Sequence, residues 1–166
     1  MAISITVRRA TAQDAESVAT CLESAFEPFR SQYTREAFED TVLSPQAVRA
    51  RMQQMTIYVA GIADFKIVGT IAAAMEGEEG HLRGMAVLPA WQGHSIAKHL
   101  LHVAEHDLAT AGCVRLTLNT TMPLQRAIRF YERNGFIPSG RITDFFGMPL
   151  HEYTKPLSLH PPADSD

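Results

Sequence analysis

Nothing in the chain narrows its fold as much as the run Met85-Ala86-Val87-Leu88-Pro89-Ala90-Trp91-Gln92-Gly93-His94-Ser95-Ile96-Ala97-Lys98-His99-Leu100-Leu101. It reads as an apolar strand, a short turn and an amphipathic helix whose first turn carries small side chains. Such a helix packs its apolar stripe on a sheet. Its start is also an anion site, because the first few N–H groups lack intrahelical acceptors and the helix dipole adds partial positive charge there. Small residues at Gly93, Ser95 and Ala97 let a phosphate or pyrophosphate reach the backbone. Two other phosphate loops are excluded, since neither a Walker GxxxxGK(S/T) string nor a GxGxxG string occurs.

Periodicity supplies the remaining elements. Ile3 to Arg9 alternates as a half-buried strand, and Thr11 with Asp14 resembles a capping box ahead of Ala15, Val18, Ala19, Leu22 and Phe26 at helical spacing. Pro28 breaks that helix, Thr34 caps a second through about Val42, and Ser44-Pro45 opens a short helical stretch across Ala47 to Met52. Thr56–Ile62 and Lys66–Met75 form a hairpin, Glu76–Gly80 is the next turn, and His81–Val87 the next strand. In the helix after Gln92, the residues Ile96, Leu100, Leu101, Ala104 and Leu108 share one face, and Gly112 stops it. A strand at Val114–Asn119 follows, then a helix from Pro123 to Gly135. Ile137–Asp144 and Pro149–Lys155 make a last hairpin through Phe145-Phe146-Gly147. The order β-α-α-β-β-β-α-β-α-β-β describes one α/β domain with helices on both faces of a mixed sheet, over residues 1–157. Residues 158–166, with two prolines and two aspartates, are expected to be a disordered tail.

A formal charge of −3 gives no general attraction for polyanions, so neither nucleic acid nor a membrane surface is an expected partner. Cys21 and Cys113 lack CxxC spacing and are expected to be reduced core residues, and the histidines show no metal-ligand spacing. No signal-peptide core and no apolar run of roughly 18 residues is present, so a cytoplasmic location is expected.

Two segments carry a resemblance. Gln92-Gly93-His94-Ser95-Ile96-Ala97, following Val87-Leu88-Pro89, resembles the acyl-coenzyme A signature Gln/Arg-x-x-Gly-x-Gly/Ala of the GNAT superfamily of N-acetyltransferases. Further on, Ala127-Ile128-Arg129-Phe130-Tyr131-Glu132-Arg133-Asn134-Gly135-Phe136 matches that superfamily's A-x-x-F-Y-x-x-x-G-F segment. Ser95 departs from the pattern, which has glycine there. A serine suits the first turn of a helix, where φ is negative, and does harm only if the position needs φ above zero.

The resemblance implies an acyl-coenzyme A N-acyltransferase fold and transfer of an acetyl group from acetyl-coenzyme A to a primary amine of a small molecule or peptide, with no metal and a possible homodimer. The alternative is a domain of the same fold that binds acyl-coenzyme A without turnover. The cofactor would lie on Gln92, Gly93, His94, Ser95, Ile96, Ala97 and Lys98, and its pantetheine arm would pair with Met85 and Val87 like an added strand. Gly84 is a candidate bulge that opens the slot, and the N–H near Met85 a candidate oxyanion donor. Asn119, at a strand end, is either a cofactor contact or ordinary turn chemistry. Lys98 is expected to meet phosphate, whereas Arg126 and Arg129 read as solvated. Tyr131 is either the acid that protonates the leaving thiolate or a core tyrosine. Alternation puts Glu79, His81, Arg83 and Met85 on one strand face, so His81 first and Glu79 second are candidate bases, or else solvated residues at a strand entrance. Phe145 and Phe146 are candidate walls of the amine pocket, with Asp144 attracting the amine's positive charge, the two phenylalanines reading equally as core or dimer contacts.

Overall fold

The computed structural model describes residues 3–63 and 66–157, which form a seven-stranded sheet with helices on both faces. The strands are β1 (Thr6–Arg9), β2 (Thr56–Ile62), β3 (Lys66–Glu76), β4 (Glu79–Val87), β5 (Arg115–Thr120), β6 (Ile137–Phe145) and β7 (Met148–Pro156). They lie in the order β1-β2-β3-β4-β5-β7-β6, and every neighbouring pair is antiparallel except β4–β5, which is parallel. The helices are α1 (Ala15–Phe26), α2 (Arg35–Thr41), α3 (Pro45–Arg51), α4 (Ile96–Thr110) and α5 (Gln125–Arg133). The expected mixed α/β architecture is therefore found. Both short helices before β2 form, capped by Thr34 and Ser44 hydroxyls that accept from Ala37 N and Ala47 N, so three helices stand where the expected string counts two. The expected turn at Glu76–Gly80 shrinks to Gly77-Glu78, and β4 begins at Glu79. Asp64 and Phe65 in the β2–β3 turn, and the expected tail at 158–166, lie outside the described residues.

Apolar side chains of the two helical layers bury against opposite sheet faces. On one, the α4 stripe Ile96, Leu100, Leu101, Ala104 and Leu108 packs with Tyr58, Ile71, Leu82, Leu116, Leu118 and, from α5, Ile128 and Tyr131. On the other, Val18, Cys21 and Leu22 of α1, with Phe38 and Val48, cover Ile57, Val59, Ala72 and Ala86. Both cysteines are buried and unbridged. A Cβ on Gly69 of β3 would stand 2.9 Å from Ile96 Cγ2 and 3.0 Å from Leu100 Cδ1. Only glycine there lets the start of α4 lie flush on the sheet. Helix α5 ends in a Schellman motif: Phe136 N donates to Tyr131 O (3.0 Å) and Gly135 N to Glu132 O (3.2 Å), with Gly135 at φ +93°. That cap seats Phe136 against Tyr131, ring centroids 5.8 Å apart.

At the other end of the fold, Asp14 closes the start of α1. Its carboxylate accepts from Thr11 N (2.7 Å) and from both terminal nitrogens of Arg8 (2.7 and 2.9 Å), and the Arg8 hydrogen bonds lead in pulling its pKa down to about 2. A carboxylate whose folded pKa is depressed contributes stability above its unfolded pKa and loses it as pH falls through the folded value. Asp14→Asn should therefore lower the unfolding free energy by about 1 kcal/mol at neutral pH, solvent screening at half-exposed Arg8 keeping it there. Urea titrations should show that difference fading as pH drops from about 4 towards 2.

Candidate active site

The parallel pairing of β4 with β5 joins Glu79–Leu82 to Arg115–Leu118 and stops there. Its end coincides with a bulge in β4: Thr70 faces Ala86 while Ala72 faces Arg83, so β4 carries one extra residue, with Gly84 at φ +64°. Past the bulge the two strands diverge, and among the described residues Arg83–Val87 have no strand partner on the β5 side. A cavity of about 970 Å³ opens between them. Gly84 thus acts as expected. It also shifts the alternation, which the sequence reading of this strand left out. His81 and Arg83 share a face, but Met85 packs with Leu82 and Val87 toward α4 and α5, while Ala86 packs toward α1. The expected single face of Glu79, His81, Arg83 and Met85 is corrected at Met85, because an inserted residue reverses a period of two.

At the far end of β4 the chain makes a single 3-10 turn at Pro89–Trp91 and then a loop, and α4 begins only at Ile96. Ser95 is its N-cap at φ 65°, ψ 15°. The expectation of negative φ at this serine is overturned: the position is left-handed, which explains why the family pattern has glycine there. Ser95→Gly should raise the unfolding free energy by about 0.5–1 kcal/mol and the midpoint by a few degrees in calorimetry. An unchanged or lower midpoint would mean that serine is not strained at this site.

The N–H groups from Gly93 to Lys98 donate to no acceptor among the described residues. Gly93, Ser95, Ile96, Ala97 and Lys98 line the cavity. His94 does not; its ring lies tilted by 55° against Trp91, centroids 5.5 Å apart. Gln92 spans the cradle, its amide donating to Val87 O (3.2 Å) and accepting from Arg126 Nη1 (3.1 Å). Arg126, read from sequence as a solvated charge, lies in the cavity wall with Nη2 3.9 Å from where a Gly93 Cβ would stand. Its place at the head of the second motif was the available signal. Thr120 at the end of β5 supplies a further polar group: its hydroxyl is buried in this wall without a partner among the described residues. Unpaired backbone donors, an open strand edge and an orphaned hydroxyl in one cavity fit a phosphate-bearing ligand with an amide arm.

Where the strands part, Met85, Val87, Asn119, His81 and Tyr131 line the same cavity. Burial alone pushes the Tyr131 phenol well above its ordinary range, with no hydrogen bond from the described residues contributing. His81 Nδ1 meets Thr117 Oγ1 at 2.9 Å, which leaves Nε2 for the cavity. Burial first, then the Arg83 charge, lowers the His81 pKa, so the ring is neutral at neutral pH. Glu79, the second candidate base, pairs with Arg115 (3.3 Å) across the β4–β5 ladder and takes no part in the cavity wall. Parallel register brings that arginine opposite it, which its position in sequence does not disclose.

The opposite wall comes from α1–α3 and the β6–β7 turn: Phe29, Tyr33, Asp40, Arg51, Phe145 and Phe146. Phe146 and Gly147, both at positive φ (50° and 90°), make the tight turn, and Thr34 Oγ1 donates to Phe146 O (2.8 Å). Asp144, expected in this pocket, instead caps the turn by accepting from Gly147 N (3.3 Å). Among the described residues no three His, Cys, Asp or Glu side chains gather as a metal site, and no helix is long and apolar enough to cross a membrane.

A phosphate cradle at a helix start, beside a strand edge opened by a bulge, is a site for a ligand that joins a phosphate group to an amide-bearing arm. More narrowly, the sequence model of the acetyltransferase (GNAT) family matches residues 18–136, and the chain belongs to that family. It is similar to the aminoalkylphosphonate N-acetyltransferase of Salmonella typhimurium, 28% identical over 137 residues that cover 78% of this chain and 83% of that one. The fold is shared with the PaiA N-acetyltransferase from Thermoplasma acidophilum, solved in complex with coenzyme A (TM-score 0.74, 21% identity, 93% of this chain and 99% of that chain). It is shared also with the ribosomal-protein-S18-alanine N-acetyltransferase from Escherichia coli (TM-score 0.75, 16% identity, 98% and 100%).

Proposed function

We propose that the protein moves the acetyl group of acetyl-coenzyme A to a primary amine of a small molecule or peptide, by direct attack of the amine on the thioester. The observation that carries this reading is that the unpaired N–H groups of Gly93 and Ser95–Lys98 and the open edge of Arg83–Val87 face one cavity. The cradle, with Lys98 and Arg126, holds the pyrophosphate; the backbone of Met85 and Val87 holds the amide arm; Thr120 and Asn119 add polar contacts. The bound thioester supplies an activated acetyl carbon. His81 takes the proton that the attacking nitrogen must lose, and the Met85 N–H stabilises the developing oxyanion, a contribution of ~3 kcal/mol for such a donor. Tyr131 gives a proton to the departing sulfur. The Salmonella relative, named for aminoalkylphosphonates, supports a small aminated acceptor.

Thermal unfolding with acetyl-coenzyme A tests the binding half of this reading. Ligand at ~100 times its Kd should add ~2.7 kcal/mol and raise the midpoint, and Arg126→Glu should remove most of that rise. No rise at millimolar ligand would contradict it.

A further inference from the structure

We propose that Arg51, with Arg83 beside it, forms an anion subsite at the acceptor end of the cavity, and that the acceptor is therefore a short amine that also carries an oxyanion. The proposal rests on the acetyltransferase reading above and names the substrate class of that site.

Arg51 is the last residue of α3 and lines the cavity. Its guanidinium Nη1 is 3.2 Å from where a Cβ on Gly84 would stand, so it lies against the bulge, one residue from the Met85 amide. The side chain is half-buried, yet among the described residues it makes no hydrogen bond and no ion pair. The carboxylate that shares the cavity wall with it, Asp40, is committed elsewhere: its Oδ2 takes Arg83 Nη2 at 2.5 Å. All three side chains face the cavity, and two guanidiniums against one carboxylate leave one positive charge unneutralised. Burial and the Arg83 charge push the Arg51 pKa down to about 10, only partly opposed by Asp40, so this cation is held where the fold disfavours it. A desolvated guanidinium with free donors in a cavity wall is the arrangement that recognises a carboxylate or phosphonate, planar donors matching paired oxygens.

The subsite is separate from the pyrophosphate cradle. Arg126 meets Gln92 beside the α4 start, whereas Arg51 and Arg83 stand on the α1–α3 side of the bulge. An oxyanion on Arg51 would hold its molecule beside the reacting centre, and a short spacer would bring the amine towards His81.

The test is calorimetric titration of the coenzyme A-saturated protein with three amines of similar length: aminoethylphosphonate, β-alanine and propylamine. At least one of the first two should bind roughly 20-fold or more tighter than propylamine, the range expected for a charged hydrogen-bonding pair. Which of them binds tighter identifies the oxyanion as phosphonate or carboxylate. Arg51→Met should erase the preference, and Arg51→Lys should restore part of it. Propylamine binding as tightly as the other two, no binding of any of the three, or an Arg51→Met variant that keeps the preference would overturn the subsite. Coenzyme A titration of the same preparations separates the failures. Normal coenzyme A binding without an oxyanion preference removes the subsite alone; absent coenzyme A binding removes the acetyltransferase reading and the subsite with it.

Discussion

Tyr131→Phe is expected to lower kcat by about 100- to 1,000-fold, the usual scale for loss of a positioned acid, while the protein stays folded. The phenol is enclosed by Phe130 and Phe136, ring centroids 5.5 and 5.8 Å away, and phenylalanine preserves both contacts. No hydrogen bond from the described residues contributes at its hydroxyl, so removing it orphans no partner among them, and the unfolding free energy should change by less than about 1 kcal/mol. Burial raises the phenol's pKa, so the proton is present at every working pH and available to the leaving sulfur. Steady-state kinetics with parallel unfolding curves checks this. A tyrosine that only packs would give wild-type kcat, and that result would remove Tyr131 from the chemistry.

His81→Gln should cost about 100-fold or more in kcat/KM at neutral pH and change the shape of the pH profile. The glutamine amide can keep a hydrogen bond to Thr117, so the β4–β5 contact survives while the base is lost. In the wild type, burial and Arg83 hold the His81 pKa below its ordinary 6.5. A base with a depressed pKa is active above that pKa and fails as pH falls through it. The acid limb of the profile should therefore lie below pH 6.5 and be absent from the variant. A limb that persists in His81→Gln would assign the titration to another group.

Much of this site was legible because its chemistry is local in sequence. The stripe Ile96-Leu100-Leu101-Ala104-Leu108 is the buried face of α4, and Gly135 caps α5, because 3.6-residue periodicity and helix capping need no knowledge of distant chain. Gly84 was readable as a bulge, since an interior strand glycine with freedom at positive φ serves little else. What escaped was set by register and by tertiary contact. Met85 changed faces because the bulge adds a residue, and Glu79 was drawn to Arg115 by a parallel pairing that alternation cannot reveal. Ser95 turned out left-handed because α4 starts at Ile96 rather than within the small-residue run. Arg51 resembles any other helix-surface arginine in sequence, and for Arg126 only its place at the head of the second motif gave a hint; the packing of α3 and α5 around the opened strands puts both in the cavity wall.

The most direct test of the central claim is a mass-spectrometric count of acetylated amine against free thiol, with acetyl-coenzyme A and a panel of small amines. One acetylated amine for each thiol released, falling together in Tyr131→Phe and His81→Gln, is the expected result. Thiol released without acetylated amine, or saturable acetyl-coenzyme A binding with neither product, would contradict it; the second outcome would make the protein a binding domain of the same fold.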